Sequence, residues 1–240
     1  MSQGAANRLQ DQQLPTILRG SRYPERLPIG TYESLRTFDH DALRRFYRDW
    51  YRPDLTSVVV VGDFDADSVE VMVREHFGAI PPPSQPRPRP SYEVPEHSET
   101  FVTAATDPEA TTSSAALYLK GPPAVWREVD DVRAWLTDWL ASSMLLNRLF
   151  EYSQQVDSPI LDASSFQGSM VRTLGTLTIT TRLPATRTSA GLETLMLEVE
   201  RAARHGFTAA ELEREKLDRL RSIGQRYGER DNLTSSSYAA

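Results

Sequence analysis

The sequence contains no cysteine, and this absence removes several kinds of chemistry. Disulfide bonds, thiolate metal sites and a cysteine nucleophile are all excluded. No apolar run reaches about 18 residues, so the sequence predicts no transmembrane helix. Residues 1–6 lack a basic region followed by an apolar stretch, and we therefore expect no signal peptide in this chain.

Positive charge is also in deficit, with 27 Lys and Arg residues against 33 Asp and Glu and a formal net charge of -6. This balance argues against nucleic acid or an anionic membrane surface as the main partner. Hydrophobic residues make up 39% of the 240 residues. The chain is therefore long and apolar enough to bury the core of one large domain or of two smaller ones.

The first 80 residues predict an irregular start followed by a helix, a strand and a second helix. Prolines and glycines interrupt residues 1–35. Asp39 is a candidate cap for a helix that ends near Tyr51. The β-branched run at residues 56–61 predicts a buried strand, and Asp65 or Asp67 can cap a helix that stops near Gly78. A single strand cannot close a core, so we expect residues 36–80 to pack on another domain, to dimerise or to be partly mobile.

Residues 81–95 are rich in proline, which favours an extended, semi-rigid linker. A ligand for proline-binding modules is the alternative interpretation. Beyond this segment, strands are predicted at 100–104, 115–120, 160–166 and 174–183, and helices at 129–154, 190–205 and 208–227. Because strands and helices mix without strict alternation, the fold class predicted is α+β, with mixed, largely antiparallel sheets flanked by helices.

Two local patterns in this second part are specific. In residues 174–183 the apolar Leu177 and Ile179 alternate with threonines, as expected for a sheet with one wet face. The spacing of Thr208 and Glu211 is that of a capping box, just after a helix stop at Gly206. Near the C-terminus, Thr234 or Ser235 can cap a new helix. Since the chain ends one turn later, we expect the second domain to be truncated.

No catalytic residue or metal ligand emerges from the sequence, and the substrate-binding residues stay unknown. The four histidines, His40, His76, His97 and His205, have no helical two-histidine spacing. Glu75 and His76 match half of an inverted zinc motif, but Met72 stands at the first ligand position and fits an apolar helix face better. A solvated helix surface is the simpler interpretation.

Other chemical motifs are equally incomplete. Gly168 and Ser169 do not form a nucleophile elbow, and no phosphate-binding glycine loop occurs. The carboxylate pairs are most simply read as strand-end and helix-cap residues; they are Asp63 with Asp65, and Asp130 with Asp131.

A longer pattern is more informative than any of these motifs. Ser21–Gly30 reads SRYPERLPIG, and residues 43–54 read LRRFYRDWYRPD before VVVVGDFD at 58–65. Further on come Asn147-Arg148-Leu149, Asp157-Ser158-Pro159 and RHGFT at 204–208. In this order the segments closely resemble the insulinase-like (pitrilysin) family of zinc metallopeptidases, in its bacterial zinc-protease branch, over essentially the whole chain.

The resemblance implies a division of the chain and a function. Residues 1–80 would be the C-terminal part of the first, catalytic-type domain, residues 81–95 the linker, and residues 96–240 a second, non-catalytic insulinase-like domain. In that family two histidines of a His-x-x-Glu-His helix and a later glutamate hold the zinc, and these would lie upstream of Met1. No ligand is therefore expected in this chain, and zinc is expected only in the full-length parent, a metalloendopeptidase.

Partners follow from the same resemblance. The second domain would help to form a substrate chamber and would hold a peptide or unfolded protein by backbone pairing to a sheet edge. The catalytic function would come from the missing N-terminal half-domain or from a catalytic partner subunit, and a homodimer stays open. A peptide-binding module is a further alternative. We expect the chain alone to be inactive, and a periplasmic or cytoplasmic location in a bacterium stays open.

Overall fold

A computed structural model describes residues 4–238. Residues 1–3 and 239–240 lie outside the described range. They include part of the segment from which no signal peptide was expected and the last two residues of the predicted terminal helix. The chain forms two compact units. The first unit comprises Met1–Leu27 and Ser91–Arg221, and the second comprises Pro28–Pro90 and Ser222–Ala240. The predicted domain division at residues 81–95 stays a prediction.

The first unit contains an antiparallel sheet, which confirms the α+β fold class. Its described strands are β1 (Ser113–Gly121), β2 (Asp162–Val171) and β3 (Leu174–Leu183). They lie in the order β1-β3-β2, and both pairs are antiparallel. Since β3 is central, its ten residues carry the alternation that predicted one buried and one wetter face.

Residues 4–238 form seven α-helices, of which four belong wholly or largely to the first unit. Their bounds are α1 Ala5–Ile17, α2 Tyr32–Thr37, α3 His40–Trp50, α4 Ala66–Phe77, α5 Val129–Ser153, α6 Thr188–His205 and α7 Ala209–Gly228. None of the described helices combines the length and apolarity required to cross a bilayer.

Local capping explains why the helices of the first unit begin and end where they do. Glu128 and Asp131 form a capping box at the start of α5. The predicted capping box is confirmed before α7, because the Thr208 backbone N–H donates to Glu211 at 2.7 Å and the Glu211 backbone N–H donates to the Thr208 hydroxyl at 3.2 Å. Gly206 ends α6 with φ 66°, a left-handed conformation that glycine adopts without strain.

The main core lies between the sheet and one layer of helices. Its buried members come from α5, α6, β3 and the segment before β2; they are Leu145, Leu149, Ile160, Ile179, Leu183 and Leu195. Ala115 of β1 and Ala163 of β2 pack against the same cluster. Helices α5 and α6 therefore cover one face of the sheet, and burial of these apolar side chains is the main contribution to the stability of this unit.

The N-terminal segment departs from the predicted irregular structure, because residues 5–17 form helix α1 although Pro15 lies inside it. An interior proline removes one backbone hydrogen bond. Tertiary packing compensates, since Leu14, Ile17 and Leu18 are buried against Val94 and Leu174. Arg8 adds an ion pair to Asp107 at 2.7 Å. Short-range sequence signals carry no information about these distant partners.

Residues 100–104, predicted as a strand, form no strand in the structure. The side chains of this segment alternate between exposed and partly buried, but the segment joins no described ladder. Val102 lies on its exposed side. A strand requires a backbone partner, and residues 100–104 form no backbone hydrogen bond with a described residue.

The second unit contains α2, α3 and α4, and it corrects the predicted helix-strand-helix. Asp39 and Asp65 cap α3 and α4 as predicted. Residues 56–61 are not a strand, because residues 57–61 form no backbone hydrogen bond with any described residue. Val59 is 77% exposed, so the apolar run lacks the packing that would define a buried strand.

The predicted helix start near the C-terminus is only a short turn in the structure. A single 3₁₀ turn spans Ser235–Ser237, with Thr234 at its N-cap position.

Candidate functional site on the open face of the sheet

The face of the sheet opposite α5 and α6 carries a regular pattern of side chains. Side chains directly across an antiparallel sheet point to the same face. One transverse row is Tyr118, Thr178 and Phe166; the next is Ala116, Thr180 and Ser164; the third is Ser114, Arg182 and Asp162. We call these nine residues the open face.

Helix α1 covers only one end of the open face. Tyr118, Met170 and Leu174 pack against the buried residues of α1. In the other two rows, Ser114, Ala116 and Ser164 are exposed. These rows hold three hydroxyl-bearing residues, one ion pair and Ala116, so the remaining surface is small and mostly polar.

Phe166 is the exception to this polar character, because it is 63% exposed. It lies near the middle of β2, in the row that begins at the α1 end. An exposed phenylalanine on an edge strand offers an apolar contact for another molecule. The sequence pattern placed Phe166 on a strand but gave no indication of which face it occupies, since β2 lacks a clear apolar alternation.

Arg182 and Asp162 form an ion pair at the far end of the open face. The hydrogen bond from the Arg182 guanidinium lowers the pKa of the Asp162 carboxyl below its usual value. Both side chains are largely exposed, so the pair contributes little to stability and stays accessible to a ligand.

The two outer strands give this face a second recognition element. Because β1 and β2 each pair only with β3, each has a free edge in the described sheet. Backbone N–H and C=O groups along a free edge can accept an added strand from an extended peptide. The polar side chains of the face and the unpaired backbone of the edges could together bind an extended polypeptide of variable sequence.

The histidines considered as metal ligands have other partners. The His76 Nδ1 lies 2.8 Å from the Met72 carbonyl oxygen. The His97 Nε2 lies 3.1 Å from the Lys120 Nζ. The rings of His40 and Phe38 lie edge to face with their centroids 6.0 Å apart. His205 is the last residue of α6.

Other side chains singled out in the sequence are likewise accounted for. The Ser68 hydroxyl and then the Ser68 backbone N–H, which donates to Asp65 at 2.8 Å, lower the pKa of the Asp65 carboxyl. Asp130 pairs with Arg133, Asp131 caps α5, and Ser169 lies at the irregularity in β2. Within residues 4–238, no three His, Cys, Asp or Glu side chains converge in a way that could hold a metal ion. The donor set therefore does not fit a catalytic zinc, which needs three protein ligands.

Comparison with known proteins decides the family. The sequence profile described as the Peptidase M16 inactive domain matches residues 37–217. This chain belongs to that family. The insulinase-like resemblance is therefore confirmed, and residues 37–217 match the family's inactive domain.

Two relatives are much longer than this chain. A zinc protease PQQL-like protein of Arabidopsis thaliana is 34% identical over 168 residues, which are 68% of this chain and 17% of that protein. The probable zinc protease PqqL of Escherichia coli is 25% identical over 224 residues, which are 91% of this chain and 23% of that protein. The chain thus spans about a fifth of the length of these relatives.

Solved structures agree on the fold. The first half of the periplasmic protease PqqL from Escherichia coli superposes with a TM-score of 0.86 at 21% identity, over 98% of this chain and 50% of that one. The ferredoxin protease FusC, crystallised as a mutant in complex with Arabidopsis ferredoxin, gives a TM-score of 0.74 at 21% identity, over 93% of this chain and 25% of that one. These likenesses show that the M16 fold is shared.

Proposed function

We propose that this M16 inactive domain contributes substrate-contacting surface to a zinc metalloendopeptidase whose catalytic residues lie elsewhere. The observation that carries this proposal is the open face of the sheet. One face is sealed by α5 and α6, whereas the other presents hydroxyl groups, an exposed Phe166 and two free edges. Such a surface can hold an extended polypeptide without reading its sequence.

The relatives support the reaction class of the parent protein. They are named zinc proteases, and the described residues of this chain offer no ligand set of their own. Zinc and the general base would therefore come from a part of the parent outside this chain or from a partner subunit. In this proposal residues 1–80 complete a catalytic-type domain, residues 81–95 link it, and residues 96–240 form the inactive domain.

The proposal is tested by measuring how the chain binds an unfolded polypeptide. A fluorescently labelled, reduced and alkylated protein is titrated with the purified chain, and anisotropy is recorded. Phe166→Ser is expected to weaken binding roughly tenfold, because it removes the large exposed apolar side chain of the open face.

Phe150→Ser is the matched control, since Phe150 is 59% exposed on α5 and lies outside the open face. It is expected to leave the affinity within twofold of the wild type. Equal losses in the two variants, or no saturable binding by the wild type, would refute the role of the open face.

A second candidate, in which another polypeptide completes the second unit, is favoured by residues 58–61. These valines are partly or largely exposed, and their backbone forms no hydrogen bond with a described residue. A β-branched run in this state is ready to pair with a strand. The completing polypeptide would be the missing half-domain, a catalytic partner subunit or a second copy of the chain. Light scattering of the purified chain across concentrations tests the last of these, and a strictly monomeric chain would exclude it.

A further inference from the structure

Lys120, near the end of β1, is one of only two lysines in the chain, and Lys216 on α7 is the other. The Lys216 ammonium pairs with Glu213 at 2.8 Å. Lys120 is partly buried, and no carboxylate of a described residue lies at ion-pair distance from its amine. Burial lowers the pKa of the Lys120 amine below its usual value, because the charged form loses water and gains no counter-charge.

The Lys120 amine has an imidazole as its hydrogen-bond partner. Its Nζ lies 3.1 Å from His97 Nε2. The other ring nitrogen, His97 Nδ1, lies 2.7 Å from the Glu99 carbonyl oxygen. Since a carbonyl oxygen only accepts, Nδ1 carries the proton, and Nε2 of the neutral ring turns its lone pair toward the amine. His97 is exposed, so a molecule from solvent can reach this pair.

The Phe101 ring brings a second positive charge close to the same amine. This ring packs on His97 with the two centroids 4.3 Å apart. The Arg19 guanidinium lies 4.6 Å from the Phe101 centroid, and Lys120 Nζ lies 6.0 Å from it. At that distance the ring attracts the ammonium only weakly. Arg19 is exposed and forms no ion pair with a described residue, so its charge can stabilise a group that becomes negative beside Lys120.

These groups match the requirements of acyl transfer to an amine. The nitrogen must attack in its unprotonated form, and a base must take a proton from it as the new bond forms. The acyl oxygen becomes negative during the attack, and a nearby cation stabilises it. A thioester is the acyl donor that this arrangement suits, because a thiolate leaves without a proton donor.

We propose that Lys120 is a modification site that accepts an acyl group from a thioester, with His97 as the base. The free amine attacks the thioester carbonyl carbon, so an N–C bond forms and the C–S bond breaks. His97 Nε2 takes a proton from the nitrogen and passes it to the departing thiolate, and the products are an amide and a thiol. Acylation removes one positive charge next to the free edge of β1.

The test is acetylation of the full chain by S-acetyl-N-acetylcysteamine, a small thioester, followed over time by peptide mass spectrometry. A blocked peptide that carries one lysine is added to the same solution as an ordinary amine. Lys120 is expected to react roughly tenfold faster than Lys216 and than the peptide lysine, because only Lys120 has a base beside it.

The variant His97→Gln is expected to slow acetylation of Lys120 roughly fivefold and to leave Lys216 unchanged, since glutamine cannot take the proton. His205→Gln is the matched control, because His205 is an exposed histidine at the end of α6, and it is expected to react like the wild type.

Two results would overturn the proposal: equal rates at Lys120 and the peptide lysine, or an unchanged rate at Lys120 in a folded His97→Gln variant. If that variant does not fold by circular dichroism, the comparison of Lys120 with the peptide lysine in the wild type decides. Failure here leaves the role of the open face untouched, since that role is measured with a different ligand and a different variant.

Discussion

At the scale of single residues, Glu211 both caps helix α7 and forms an ion pair with a residue on another helix. Its carboxylate accepts from the Thr208 backbone at the start of α7 and from Arg148 on α5. The Arg148 guanidinium is the larger cause and, with the Thr208 backbone, lowers the pKa of Glu211 to about 2. The cap could be predicted from the spacing of Thr208 and Glu211. The ion pair could not, because its partner lies 63 residues away in the sequence.

This lowered pKa predicts an acid-dependent stability. The Glu211 carboxyl has an ordinary pKa of 4.5 and a folded-state pKa of about 2. Its stabilisation is therefore present above pH 4.5 and is lost as the pH falls toward about 2. Glu211→Gln is expected to lower the free energy of unfolding at pH 7 by about 1–3 kcal/mol and to flatten its dependence on pH between these values.

Urea denaturation followed by tryptophan fluorescence between pH 2 and pH 7 measures this effect. Glu213→Gln is the control, because Glu213 is exposed on the same helix and pairs only with Lys216 among the described residues. A pH dependence that is identical in the Glu211→Gln variant and the wild type would contradict the assignment.

A second prediction at the residue scale concerns the stability of alanine variants at two helical glycines. A Cβ at Gly191 would lie 2.4 Å from Leu183 Cδ2 and 2.6 Å from the Pro159 carbonyl oxygen. Gly191→Ala is therefore expected to destabilise the fold by about 1–3 kcal/mol through overpacking. Gly224→Ala on α7 meets no atom within 4 Å and is expected to stabilise by about 0.5–1 kcal/mol. Thermal unfolding of both variants checks the pair, and equal shifts of the same sign would contradict the close packing of α6 on the sheet.

At the scale of elements, the sequence predicts structure well where local patterns and tertiary packing agree. The long helix α5, the central strand β3 and the helices α6 and α7 all have strong periodicity or caps, and all are present. Residues 5–17 were predicted to be irregular, partly because of Pro15, and this prediction was wrong. Burial of Leu14, Ile17 and Leu18 stabilises helix α1 there. The strand at 56–61 was predicted from β-branched residues, but strand formation also needs a neighbouring strand.

Hydrogen exchange distinguishes these two kinds of β-prone segment. Amides of residues 58–61 form no backbone hydrogen bond to a described residue, whereas β3 pairs on both sides. We expect the amides of residues 58–61 to exchange fast and those of residues 177–181 to be among the slowest in the chain. Strong protection at 58–61 in the purified chain would show that these residues are already paired, for example in a dimer.

At the scale of the whole molecule, the segments at 21–30, 43–65 and 204–208 identify the family from the sequence, and residues 37–217 match it. The open face could be predicted only in part. The threonines of β3 indicate a wet face, but the exposure of Phe166 depends on which face the helices cover. That choice depends on contacts of α5 and α6 with Ile179 and Leu183, which are separated from these helices in sequence.

We expect this chain to hold polypeptide without supplying the catalytic centre of a zinc protease. The most direct measurement incubates the purified chain with stoichiometric zinc and a quenched fluorescent unfolded protein, while metal content is determined after gel filtration. Binding of the unfolded protein, no retained zinc above background and no cleavage are expected. Zinc retained at one ion per chain together with turnover that a chelator abolishes would contradict this expectation.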